Sequence, residues 1–109
     1  MSGQWTFLSN HTHVLICIAR DPKVRVRDIA ALVGITERAV QRILSDLEQA
    51  GFIAHEKVGR RNHYTINLDG RLRHELEEGS SLRQLLKGVV SPRALRIAGG
   101  EGRRNHDDS

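Results

Sequence analysis

Arg38, Gln41 and Arg42 lie three and four residues apart, so in a helix their side chains share one face. Two guanidinium groups and a carboxamide on one surface suit hydrogen-bond recognition of a polyanion that also carries readable edges. Arginine can place two N–H donors on the O6/N7 edge of guanine. The glutamine amide can donate and accept at the N6/N7 edge of adenine. Either arginine can instead bond a phosphate, which positions a protein without reading sequence. Like charges at this spacing cost a helix a few tenths of a kcal/mol, roughly, and phosphates would relieve that repulsion. The plainer reading of the same residues is a solvated surface on which Arg42 pairs with Asp46 and Arg38 with Glu37.

Such a face needs elements to present it. Ile29, Ala30 and Val33 mark one short helical pattern, broken by Gly34. A second pattern carries Val40, Ile43, Leu44 and Leu47 at i, i+3, i+4, i+7 and ends at Gly51. Thr36 stands where an N-cap is wanted, just before Glu37, whose charge favours a first turn. Gly34 suits a chain that must leave a helix in the left-handed conformation. Two short helices about a glycine turn form a helix-turn-helix unit, with an ordinary packed αα-hairpin as the plainer alternative. Beyond Gly51 the period becomes alternating. The run from Phe52 to Val58 reads as one strand, Gly59-Arg60-Arg61-Asn62 as a turn, and His63 to Asn67 as a second strand with Tyr64 and Ile66 on one face. A hairpin directly after the second helix is a wing whose tip carries two adjacent arginines.

On the residues DIAALVGITERAVQRILSDLEQAGFI and VGRRNHYTIN the chain resembles winged helix-turn-helix transcriptional regulators of the broad class that contains the MarR-like and ArsR-like bacterial repressors. The resemblance covers about Trp5 to Leu68. It implies a second motif helix in the major groove of double-stranded DNA and a wing tip on the backbone or in the minor groove. Carried onto this sequence, it implicates Thr36, Arg38, Gln41 and Arg42 on the helix and Arg60, Arg61 and Asn62 on the wing. The cysteine pairs of metal-sensing ArsR-like repressors are missing. Arg27, at the start of the first motif helix, stands where backbone N–H groups attract phosphate, although a solvated charge fits it equally.

The rest of the chain sets bounds. Its 109 residues suit one domain with one modest core, and a net charge of +4 favours an anionic partner. Cys17 is the single cysteine, which excludes an internal disulfide, and its apolar run from Val14 to Ala19 marks it as a small core residue. That run is far short of the roughly 20 apolar residues needed to span a bilayer, so the expected location is cytoplasmic. A first helix is predicted from Ser9 or Asn10 to Arg20, and Val24 and Val26 suggest a short strand closing the wing into a small sheet. Ser80 or Ser81 would cap a last helix carrying Leu82, Leu85, Leu86 and Val89, which Pro92 would stop or kink. Met1 to Gln4 reads as loose, and 99–109 as a disordered tail after a domain of 1–98. The histidines do not form a metal site: His55 and His63 could face each other across the hairpin, but two ligands are too few for structural zinc. No nucleophile stands in a catalytic arrangement, so no cofactor and no enzyme activity are expected.

The sequence therefore points to a mainly α winged helix-turn-helix domain: a three-helix core, a β-hairpin wing and an extra C-terminal helix. The function it implies is a dimeric repressor reading a roughly palindromic operator. Trp5, Phe7 and Leu8 would form the dimer surface with Leu82, Leu85, Leu86 and Val89, and any effector would bind at the dimer junction. The alternatives are a winged helix used for protein contacts and an RNA-binding winged helix, the latter disfavoured by few aromatics for base stacking.

Overall fold

A computed structural model describes residues 5–100. The predicted loose segment 1–4, and the predicted tail beyond Gly100, lie outside the described residues. The order of elements is α1 (Asn10–Arg20), α2 (Val26–Val33), α3 (Glu37–Gln49), β1 (Ile53–Val58), β2 (Arg61–Ile66), α4 (Leu82–Leu86) and α5 (Pro92–Ala98), with a short 3₁₀ turn at Glu75–Glu77. This is a mainly helical winged helix-turn-helix architecture.

Each helix start has a local cause. Ser9 caps α1 by accepting from the Thr12 N–H, and Thr36 caps α3 by accepting from the Ala39 N–H at 3.0 Å. The α2–α3 turn hinges on Gly34, at φ +84°, whose N–H donates to the Ala30 carbonyl at 2.8 Å. Only a residue without a Cβ adopts that angle cheaply. The apolar stripes then meet: Val14, Ile18, Ile29 and Val40 are fully buried.

The two strands pair antiparallel in one hairpin, with Ile53 opposite Ile66, His55 opposite Tyr64 and Lys57 opposite Asn62. The turn is shorter than the sequence suggests. Val58 pairs with Arg61, so only Gly59 and Arg60 form the loop. Gly59 has φ +63° and Arg60 a negative φ, the pattern of a type II′ hairpin turn. The predicted third strand is not formed. Val26 already opens α2, Val24 is buried in the core, and Pro22 has no N–H for a ladder. In its place the Tyr64 N–H donates to the Pro22 carbonyl at 2.9 Å, which ties the wing to the α1–α2 loop.

The C-terminal segment forms two helices rather than one. Ser81 and Gln84 make a reciprocal capping box at the start of α4, which ends at Leu86. Pro92 begins α5 instead of stopping a helix, because its missing N–H would be unpaired in a first turn anyway, and Ser91 caps it. α5 packs on α1 and β2. Leu82, Leu86, Val90, Leu95 and Ala98 all join the main core. Leu82 and Leu86 are therefore core residues of the monomer and not free for a dimer surface. Trp5, Phe7 and Val89 are exposed, while Leu8 and Leu85 are half-buried.

Candidate nucleic-acid interface

The buried stripe of α3 leaves Arg38, Gln41, Arg42, Ser45 and Gln49 exposed on the opposite side. Neither Arg38 nor Arg42 has an ion-pair partner among the described residues. The carboxylate that could have taken Arg42 is used elsewhere: His11 Nε2 lies 3.0 Å from Asp46 Oδ2. Glu48 is held in the same way by His55, whose Nδ1 lies 2.9 Å from Oε2. Half-exposed pairs of this kind add roughly 0–1 kcal/mol to stability. Their consequence is local. They occupy the acidic C-terminal half of α3 with α1 and β1, and leave its basic N-terminal half open.

The other sequence-predicted residues fall into three groups. Arg27 is exposed in the first turn of α2, and Arg60 is exposed at the hairpin turn. Thr36 is exposed, but its hydroxyl oxygen is engaged as the α3 cap. Arg61 stands at the start of β2 rather than in the turn, and its Nη1 donates to the Lys23 carbonyl at 3.2 Å. That bond uses one of five guanidinium donors and leaves the charge in place. Asn62 is half-buried on the inner face of the wing, where its Nδ2 lies 3.5 Å from the Tyr64 hydroxyl. It belongs to a groove of about 360 Å³ between α3 and the wing, shared with Gln41, Ser45, Glu48, His55 and Tyr64.

Several residues of this surface were not singled out from sequence. Ser45 and Gln49 continue the Arg38–Arg42 stripe, and Gln49 Nε2 donates to Ser45 Oγ at 3.3 Å. Their i+3 and i+4 spacing was the available signal. Lys23 and Arg25 are exposed beside Arg27 and Arg61, a clustering visible only once the wing is seen to dock on that loop.

The described histidines do not converge. His55 faces Tyr64 across the hairpin while His63 faces Glu56 on the other side of the sheet. Among the described residues no group of three potential metal ligands occurs. Cys17 is half-buried in α1. Burial pushes its thiol above the ordinary cysteine value, against the opposite pull of Arg20. A protonated thiol is a poor nucleophile at neutral pH. No helix of the described residues is long and apolar enough to cross a membrane.

With α1, α2 and α3 in this arrangement, the match to known proteins falls where the geometry would put it. Residues 9–54 match the winged helix-turn-helix DNA-binding family. The matched span holds Arg27, Thr36, Arg38, Gln41 and Arg42 and stops at the start of β1, so Arg60, Arg61 and Asn62 lie outside it. The chain is also 29% identical over 68 residues to an uncharacterized protein of Methanocaldococcus jannaschii. That similarity spans 62% of this chain but 14% of the relative's length. No solved structure matches the chain.

Proposed function

We propose that this chain is a sequence-specific, double-stranded DNA-binding transcriptional regulator that acts by binding alone. One observation carries the reading: the exposed face of the second motif helix presents Arg38, Gln41 and Arg42, with no ion pair to either arginine among the described residues, next to a wing with Arg60 and Arg61 at its end. The match of 9–54 to a DNA-binding family supports it. In this reading the N-terminal half of α3 enters the major groove. Arg38, Gln41 and Arg42 meet base edges or phosphates there, and the Thr36 cap orients the first turn. Arg27, with Lys23 and Arg25, lies along one flanking phosphate run. Arg60 and Arg61 take the other, or enter a narrow A·T minor groove. Asn62 supports the groove between helix and wing from its inner side.

The finer reading is a homodimeric repressor on a roughly palindromic operator, with 1–98 as the working domain and 99–109 as a tail. Two copies would place two recognition helices about one helical turn of DNA apart. Selection of bound duplexes from a random pool tests this directly. The expected result is an enriched site with two related halves. Enrichment of a single half-site would support a monomeric reader, and no enrichment over input would remove sequence-specific binding.

A further inference from the structure

We propose that His55 is a positioning residue for DNA binding: its bond to Glu48 braces the wing against α3, so that the recognition helix and the wing arginines meet DNA at one fixed spacing. The inference rests on the DNA reading above and deepens it.

The hairpin is anchored unevenly. Ile53 is buried but every later residue of β1 is exposed, so packing on the core fixes β1 only at its start. β2 is held farther along, by the buried side chains of Tyr64 and Ile66 and by two bonds to the α1–α2 loop. The Tyr64 N–H reaches the Pro22 carbonyl and the Arg61 guanidinium the Lys23 carbonyl. Both of those bonds run to the loop. The tie to the recognition helix is His55.

Its geometry suits a brace. His55 Nδ1 lies 3.1 Å and 2.9 Å from the two Glu48 carboxylate oxygens. An ionised carboxylate only accepts, so Nδ1–H is the donor, and the bond forms whether the imidazole is neutral or charged. On its other side the imidazole leans on the Tyr64 ring, with centroids 6.0 Å apart. Contacts therefore run in a line from α3 through Glu48, His55 and Tyr64 to Pro22, across both strands. The pair stands in the groove of about 360 Å³ between α3 and the wing, so its length sets the gap between the two basic elements.

The wing magnifies any slack at this point. The hairpin turn begins four residues beyond His55, roughly 13 Å along the strand. A swing of roughly 10° about His55 would move the turn by about 2 Å. That is more than the range over which a hydrogen bond to a phosphate keeps its strength. Half-exposed pairs are weak, so losing the brace should leave the fold standing and raise Kd for DNA roughly two- to fivefold.

Removing His55 also leaves the Glu48 charge unneutralised near phosphates, and a double-mutant cycle separates the two effects. Binding of the full chain to duplex DNA of random sequence is measured at low salt and over a salt series. The proteins are the native chain, His55→Ala, the Arg60→Ala, Arg61→Ala double variant and the triple variant. The expected result is a two- to fivefold rise in Kd and a shallower salt slope for His55→Ala in the native background, roughly, and no further change once the wing arginines are gone. Glu48→Gln removes the charge but keeps an acceptor for Nδ1, so loss of the wing arginines should cost the same there as in the native chain. An equal effect of His55→Ala in both backgrounds overturns the brace, because the effect is then one of charge or stability, and leaves the DNA reading intact. An unchanged Kd in His55→Ala overturns it too. An Arg60→Ala, Arg61→Ala variant that binds like the native chain takes the wing off DNA and the brace with it, leaving α3 as the reader. Absence of binding even at low salt removes the DNA reading itself, and the brace falls with it.

Discussion

Arg38 and Arg42 are the residues on which the DNA reading depends most. Both project from α3 on the side away from Val40, Ile43 and Leu47, so neither supports the core. Replacing either with alanine should leave the unfolding midpoint unchanged. It should weaken binding to a selected duplex by roughly 1–3 kcal/mol if a base edge is lost. A purely phosphate contact would instead weaken all sequences evenly. Thr36 separates two roles that a binding assay alone would confuse. Its hydroxyl caps α3, so Thr36→Ala should lower stability in urea by roughly 0.5–2 kcal/mol, and Thr36→Ser should restore it. A Thr36→Ala variant of unchanged stability but weaker binding would make the hydroxyl a DNA contact instead of a cap. Cys17 makes a prediction in pH. Burial raises its folded-state value, so folding favours the neutral thiol. That stabilisation is complete below the unfolded value and is lost as pH rises through the folded one. Alkylation of the native chain at neutral pH should be slower than in urea. Equal rates would mean that the thiol is accessible and unshifted.

At the scale of elements, the glycine turn is where sequence and structure agree most closely. Gly34 holds φ +84° and a Cβ there would meet nothing within 4 Å. The cost of Gly34→Ala is thus conformational, roughly 1–2 kcal/mol, and should appear as a lower midpoint without a cavity effect. The helix pair was legible because Ile29, Val40, Ile43 and Leu47 carry a local period, and the wing because Tyr64 and Ile66 alternate with polar neighbours. Four neighbouring turn-forming residues, Gly59 to Asn62, concealed where the turn lay. Strand pairing decides that, and it sent Asn62 inward. Pro92 was ambiguous in principle, since a fixed φ and a missing N–H suit the residue after a helix and the first residue of one. The burial of Leu95 and Ala98 settles it as a start. The engagement of Asp46 by His11 joins residues 35 apart and leaves no local trace in the sequence. That pairing keeps one acidic partner from Arg42, so the open basic face was only half legible.

At the scale of the molecule, the segment after the wing is part of the core and not an appendage. Leu86 is fully buried, and Leu82 is 2% exposed. Leu86→Ala should therefore cost roughly 2–5 kcal/mol, read from urea unfolding. A cost below 1 kcal/mol would mean that α4 packs loosely on the rest. Such packing gives the chain one shared core on which α3 and the wing are presented together. Its net charge of +4 favours an anionic partner. The exposed arginines of α3 and the wing face outward without ion pairs among the described residues, while Asp46 and Glu48 are engaged by histidines. The most direct test is the salt dependence of binding to a selected duplex, measured for the native chain and for the Arg60→Ala, Arg61→Ala double variant. The account predicts a steep fall of log K with log salt for the native chain, a slope shallower by up to about two units in the variant, and retained preference for the selected site. Binding that is indifferent to salt, with the same slope in both proteins, would contradict it and point to a protein partner instead.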